Sequence, residues 1–396
     1  MNVLVILSSG HNPKFMGCAG HAVARTPNLD ALAAHGTRFT AAYTPSPLCA
    51  PARAAFAAGR RVQDIGFGDG AIADDGRMPG WAQRLRAAGI RVESLGKPDD
   101  PDADPDNIRH DRGVTNAACQ WLAEAGKQPG APWCLCLGYC APHFPLAVPE
   151  PYLEDYPLES IPPPKLHPAD GHARHAWIED YDAGTRIEWD WSDAQRGVAA
   201  AHYLGLVSFV DEQVGELLAA LDEGGLAERT LVLYSSDHGD NAGARGLWGA
   251  STLYEESAGI PMILAGPEMP HGGTVRTAVS LLDCHPTLLE AFGVEPEADL
   301  PGSSLLSLAA DAYDPWRAVL CECHGAGAPS GAFLLRRGRC KYHYYVGYAP
   351  ELFDMETDPE ETRDLAGLPE YGALLAEHEA LLRAICDPEE VDRRNK

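Results

Sequence analysis

Disulfide chemistry is the first thing this chain lacks. Its 11 cysteines are odd in number and scattered, with no Cys-x-x-Cys step and no zinc-ligand spacing. That argues against a stapled secreted scaffold and fits free thiols in a reducing cytoplasm. Apolar runs long enough to cross a membrane are also missing. The apolar start, Met1 to Leu7, has no basic stretch ahead of it and no cleavage site behind it, so it reads as a first strand. Positive charge is scarce: 31 Lys and Arg stand against 57 Asp and Glu, a net charge of -26. Clustered Lys and Arg are what phosphate backbones require, so nucleic acid is not an expected partner, and neither is a membrane. No internal repeat is found. What remains is 396 residues at 45% hydrophobic content, enough for one large core with a small appendage.

The chain is organised around Ser46-Pro47-Leu48-Cys49-Ala50-Pro51-Ala52-Arg53, which runs on through alanines to Gly59-Arg60. Pro51 suits a first helical turn and the alanines propagate a helix, so Cys49 is expected at a helix N-terminus. Free N–H groups and the dipole favour an anion there. Arg53, four residues on, projects from the same face and offers a fork to an oxyanion. The alternative for these two residues alone is a buried thiol and an ordinary surface arginine.

In chain order, Asn2 to Leu7 reads as a buried parallel strand ending in the turn Ser8-Ser9-Gly10-His11, and ligands gather at such carboxyl ends. Thr26-Pro27 opens a helix with Thr26 as its cap, and a strand follows over about Thr37 to Ala42. A helix is predicted over Pro79–Ala88, then a strand over Ile90–Leu95 that delivers Gly96-Lys97. The aspartate-rich run Pro98–Asp106 lacks the glycine and closing glutamate of a calcium loop and reads as solvated. Trp133–Tyr139 is a strand leading to the proline-bracketed His143, which on sequence alone could simply cap carbonyls. Pro149 to about Asp193 is a long surface excursion, followed by a helix over about Ala194–Leu221. Thr230–Ser235 is a strand delivering Asp237-His238-Gly239, a pattern suited to a metal or to a helix cap. A strand and helix fall within Thr274–Phe292. A boundary near Tyr313–Trp316 divides a catalytic domain (1–315) from a C-terminal unit (316–396) of alternating strands and a helix over Pro369–Ile385. His324, on a Gly-rich loop of that unit, either reaches the pocket or is an exposed loop histidine.

Cys49-x-Pro51-x-Arg53 with its Gly-Arg end resembles the signature of the sulfatase family, in the alkaline phosphatase superfamily, nearest the choline sulfatase and phosphonate monoester hydrolase branch. Pro27-Asn28-Leu29-Asp30, Pro142-His143-Phe144-Pro145, Asp237-His238-Gly239 with Gly246-Leu247-Trp248, and Leu352-Phe353-Asp354 before Asp358-Pro359 resemble the family in the same order. The resemblance implies an α/β fold: a large, mixed, mostly parallel sheet flanked by helices, with a small C-terminal α+β subdomain. It implies that Cys49 is oxidised to formylglycine by a maturation enzyme and that its hydrate attacks a small anionic sulfate ester. Arg53 and Lys97 would steady that group, and His143 would contact the ester. Asp237 and His238, with the residue at 49, would hold a divalent ion (Ca²⁺, Mn²⁺ or Mg²⁺). Asp69 and His324 would touch the substrate. Self-association is compatible with all of this.

Several positions depart from the pattern. Ser9, followed by Gly10, stands where an acidic metal ligand is expected, and serine is a weak neutral donor. Asp99 replaces a histidine, Ala250 a lysine, and Gly70 an asparagine. Removing one electrostatic donor costs a factor of roughly 10²–10³ in rate, so the metal site reads as weakened or remodelled. His11, Asp99 and the aspartate run are the nearby candidates to compensate. The leading expectation is a sulfate ester hydrolase. The alternatives are a catalytically inactive binding or partner protein, and a repurposed phosphonate or phosphate ester hydrolase.

Overall fold

The first strand is apolar on both sides because helices cover both sides of its sheet. The computed structural model describes residues 1–66, 79–96, 106–127, 130–185, 191–325 and 327–396. Its strands are β1 (Asn2–Ser9), β2 (Gly36–Phe39), β3 (Ala42–Tyr43), β4 (Arg91–Gly96), β5 (Trp133–Pro142), β6 (Thr230–Ser236), β7 (Met262–Ala265), β8 (Gly273–Val275), β9 (Val279–Ser280), β10 (Ala318–Cys323), β11 (Ala332–Arg337), β12 (Cys340–Tyr345) and β13 (Glu351–Asp354). Seven form one mixed, mostly parallel sheet in the order β4-β5-β1-β6-β7-β2-β8. β1 is third in that order, with Val5 between Cys136 of β5 and Leu233 of β6, both parallel to it.

Alternation along β1 feeds two cores. Leu4 and Ile6 pack with Val114, Ala118 and Leu122 of the Asn107–Lys127 helix and with Val210, Val214 and Leu217 of the Asp193–Glu223 helix. Val3, Val5 and Leu7 pack with Phe56, Leu85 and Leu288 from the helices on the other face. Burying such a side chain is worth about 1.5–3 kcal/mol, so the central strand is anchored from both faces. The long helix begins with a full capping box at Ser192 and Gln195.

The Asn107–Lys127 helix was not legible in the sequence. Its apolar positions are interrupted by Gly113 and many polar residues, and one of its buried side chains is a carboxylate. Asp111 is fully buried and accepts the backbone N–H groups of Cys140 and Ala141, tying the helix to the end of β5. Thr26 precedes its helix as expected but makes no capping bond; its hydroxyl donates to Asp30 instead.

β10 to β13 form a separate antiparallel sheet in sequential order. One face packs on Leu382 of the Gly372–Ile385 helix, and the other meets Tyr43, Trp177, Leu247 and Tyr254 of the large sheet's side. Charged side chains are buried along this seam. Glu256 accepts from Lys14 and Arg245, and Lys341 lies 3.0 Å from Glu255 and 2.8 Å from Glu361. The excursion over 149–193 contains a helix, Ala176–Thr185, whose Trp177 is buried in the seam.

Candidate active site

Three neighbouring parallel strands, β5, β1 and β6, end at the same edge of the sheet, which is where open α/β sheets place ligands. β1 ends at Ser9, β5 leads into His143, and β6 delivers Asp237 and His238. The helix Cys49–Ala58 starts with Cys49 as its first residue, after the extended Leu48. The terminus expected from Pro51 and the alanine run is therefore present. It is held from the C-terminal sheet, where the Glu322 N–H donates to the Pro45 carbonyl at 2.9 Å.

These ends bring Cys49, His143 and His238 together: their Sγ and ring nitrogens lie within 4.8 Å of one another. Cys49 Sγ is 3.0 Å from His238 Nε2, and the two imidazoles meet edge to face at 5.7 Å. Burial disfavours a thiolate at Cys49, but the facing His238 and His143 outweigh it and hold the thiol well below its ordinary pKa. Burial likewise opposes charge on His238, yet Asp237 and Cys49 raise it to about 10. The two together favour a thiolate–imidazolium pair.

Asp237 is fully buried and its carboxylate is saturated. Ser9 Oγ donates to Oδ2 at 3.0 Å and Arg53 Nε to the same oxygen at 2.8 Å. The backbone N–H groups of Gly10 and His238 donate to Oδ1 at 3.3 and 2.8 Å. Gly10 sits at φ +72°, and a Cβ there would come within 3.3 Å of the His143 backbone, so this close approach requires glycine. Arg53 also donates to the Tyr139 carbonyl at 3.2 Å.

A divalent ion of the hard kind takes six or more oxygens. Among the described residues the donors do not fit one. Asp237 has its four acceptor directions used, with Ser9 pointing its hydroxyl at it as a donor. Asp240, a second buried carboxylate whose charge acts on His143 and His238, already accepts the Ala242 and Gly249 N–H groups on Oδ1 at 2.8 and 3.2 Å. The groups that do converge are sulfur and nitrogen. His11, a candidate to compensate, is turned away: its ring nitrogens face the Tyr234 hydroxyl at 2.6 Å and the Phe15 carbonyl at 3.4 Å.

Among the other sequence candidates, His324 is buried, not exposed, and its Nε2 is 3.0 Å from Glu322 Oε2; it is not part of the Cys49 cluster. Lys97, Asp69, Gly70, Asp99 and the aspartate run up to residue 105 lie outside the described residues. Sequence reasoning missed the part of Tyr139 and of the Asn107–Lys127 helix. Asn107 Nδ2 donates to the His143 carbonyl at 3.0 Å, and no local motif signals that contact.

Known proteins resemble this chain along most of its length. The family model described as Sulfatase matches residues 1–294, and one described as N-sulphoglucosamine sulphohydrolase, C-terminal, matches residues 243–387. A choline-sulfatase of Rhizobium meliloti (strain 1021) is 29% identical over 93% of this chain and 83% of its own length. Human arylsulfatase K is 26% identical over 92% of this chain and 78% of its own. The crystal structure of a phosphonate monoester hydrolase of Agrobacterium radiobacter superposes with a TM-score of 0.81 at 22% identity, covering 97% of this chain and 95% of that one.

Proposed function

Because this chain belongs to the sulfatase family, we propose that it hydrolyses a small anionic sulfate ester at the Cys49–His143–His238 cluster, after a formylglycine-generating enzyme has oxidised Cys49. The observation that carries this reading is the Cys49 sulfur at a helix N-terminus, 3.0 Å from His238 Nε2. Formylglycine, when present, supplies a hydrated aldehyde oxygen as nucleophile. The rest falls to this chain's own side chains. His238 Nε2 holds or takes a proton at residue 49, and the carboxylate of Asp237, 3.6 Å from that nitrogen, favours the charged ring. His143, on the other side, is placed to meet the ester. The first-turn N–H groups of the Cys49–Ala58 helix favour the anionic group.

The family works with a divalent ion, and the described donors here do not suit a hard one, so no step is assigned to it. The remodelled site instead places one fixed cation, Arg53, on the buried carboxylate. That feature also supports a second reading, a family member that binds an anion without turning it over. Free thiols at all 11 cysteines suit a cytoplasmic protein, and among the described residues no helix is long and apolar enough to cross a membrane.

The test is peptide mass spectrometry of residue 49 after co-expression with a maturation enzyme, together with turnover of an aryl sulfate and choline sulfate. An aldehyde with turnover supports hydrolysis. An untouched thiol without turnover leaves the binding reading standing and removes the catalytic one.

A further inference from the structure

A second cationic centre lies at the seam between the two sheets. There a cavity of about 300 Å³ is lined by residues of β2, β3, β7, β11 and their loops, and by none of the Cys49 cluster. Arg336 of β11 faces it and is only 7% exposed, yet its Nε and Nη1 have no hydrogen-bond partner among the described residues. Buried donors left unpaired are costly, above all on a charged fork. Arg38 of β2 lines the same cavity and makes no ion pair with a described residue. The other charges there are committed. Lys14 Nζ donates to Glu256, Glu360 and the Pro359 carbonyl. Glu255 accepts from the Tyr43 hydroxyl and Lys341. Arg276 lies over the Tyr313 ring, 3.9 Å from Glu356.

Two buried donors of Arg336 thus make no hydrogen bond, although Glu255 lies within reach of its charge. Arg336 and Arg38, the latter with no ion pair to a described residue, face one partly open space in a chain of net charge -26, the reverse of what the composition leads one to expect. Guanidinium forks match tetrahedral oxyanions. We propose that this cavity binds such an oxyanion, sulfate or phosphate, between Arg336 and Arg38. The volume also admits a small organic body on the anion, against the walls of Phe39 and Tyr43. Arg336 belongs to the C-terminal sheet and Arg38 to the large one, so the bound anion ties the two sheets together.

Isothermal calorimetry and thermal denaturation of the full chain, with inorganic sulfate, inorganic phosphate and phenyl phosphate as separate probes at constant ionic strength, test this. The expected result is saturable binding with a rise in Tm, absent with chloride. Arg336→Gln and Arg38→Gln are each expected to weaken binding about tenfold or more, and Arg336→Lys less. Tighter binding of phenyl phosphate than of the bare anions identifies an ester as the ligand; the reverse identifies the free ion. Should Arg336→Gln fail to fold, the half-exposed Arg38→Gln carries the test. Absence of saturable binding in the wild type overturns the proposal. So does binding that survives both arginine variants but disappears in Cys49→Ala, which would place the anion at the other site.

Discussion

Arg53 Nε donates to Asp237 Oδ2 at 2.8 Å, with the arginine side chain 9% exposed and the carboxylate fully buried. The guanidinium thus supplies the positive charge that the carboxylate needs in a dry environment. Once it has done so, the acid has little left with which to attract a divalent cation.

Removing that partner leaves a buried charge alone. Arg53→Met should destabilise the protein by about 3–5 kcal/mol, read as a lower urea midpoint with an unchanged slope. The double variant Arg53→Met/Asp237→Asn should recover part of the loss, since neither group is then charged. A double variant no more stable than the single one would show that the pair is not the source of the effect.

Placing an acid at the end of β1 tests whether this end of the sheet can hold a divalent ion. In the wild type, millimolar CaCl₂ should leave Tm unchanged. Ser9→Asp adds a second hard donor beside Asp237, and Ca²⁺ should then raise Tm by roughly 2 °C or more, since binding at 100 times Kd contributes about 2.7 kcal/mol. Adding Ala250→Lys should raise aryl sulfate turnover further. A Ca²⁺-dependent rise in the wild type would contradict the saturated carboxylate described above.

Cys49 should be the fastest-alkylated of the 11 thiols in unmatured protein at pH 7. It is held toward thiolate by His238 and His143 and is partly open, whereas burial pushes Cys134, Cys284 and Cys321 well up. Iodoacetamide labelling followed by peptide mapping measures this. In His238→Gln the labelling of Cys49 at pH 7 should fall, because the thiolate loses the facing cation that favours it.

Two histidines set an acid limit outside the Cys49 cluster. Burial lowers His11 and His285 to about 4. The unfolded chain takes up protons at these residues near pH 6.5 while the folded one resists, so their contribution is complete above that pH. It is lost as pH falls from about 6.5 through 4. For His11 the shift corresponds to about 3 kcal/mol. Urea midpoints between pH 7 and 4 should fall accordingly, and His285→Gln should flatten the decline. An unchanged midpoint across that window would rule the mechanism out.

The positions where sequence reasoning met the structure are those governed by local rules. The Cys49 helix, the strands at both ends of the site and the terminal helix each follow from a proline, a run of alanines or an apolar stretch. Asp111 shows the limit. A carboxylate early in a helix reads as solvent-facing, yet it is buried because two backbone N–H groups, some thirty residues away, need an acceptor. His324 does lie on a loop just past β10, but it is buried against Glu322 rather than exposed.

By itself the sequence determined the α/β architecture, the family signature, the cysteine at a helix start, and the histidines and aspartate carried at the strand ends, because periodicity and turn chemistry act over a few residues. Tertiary structure alone decided how those groups spend their charge. Asp237 is filled by Arg53 and Ser9, Cys49 faces His238, and two buried donors of Arg336 at the seam make no hydrogen bond. Those outcomes depend on which distant segments meet in a medium that excludes water, where a charge must find its partner among whatever the fold brings near.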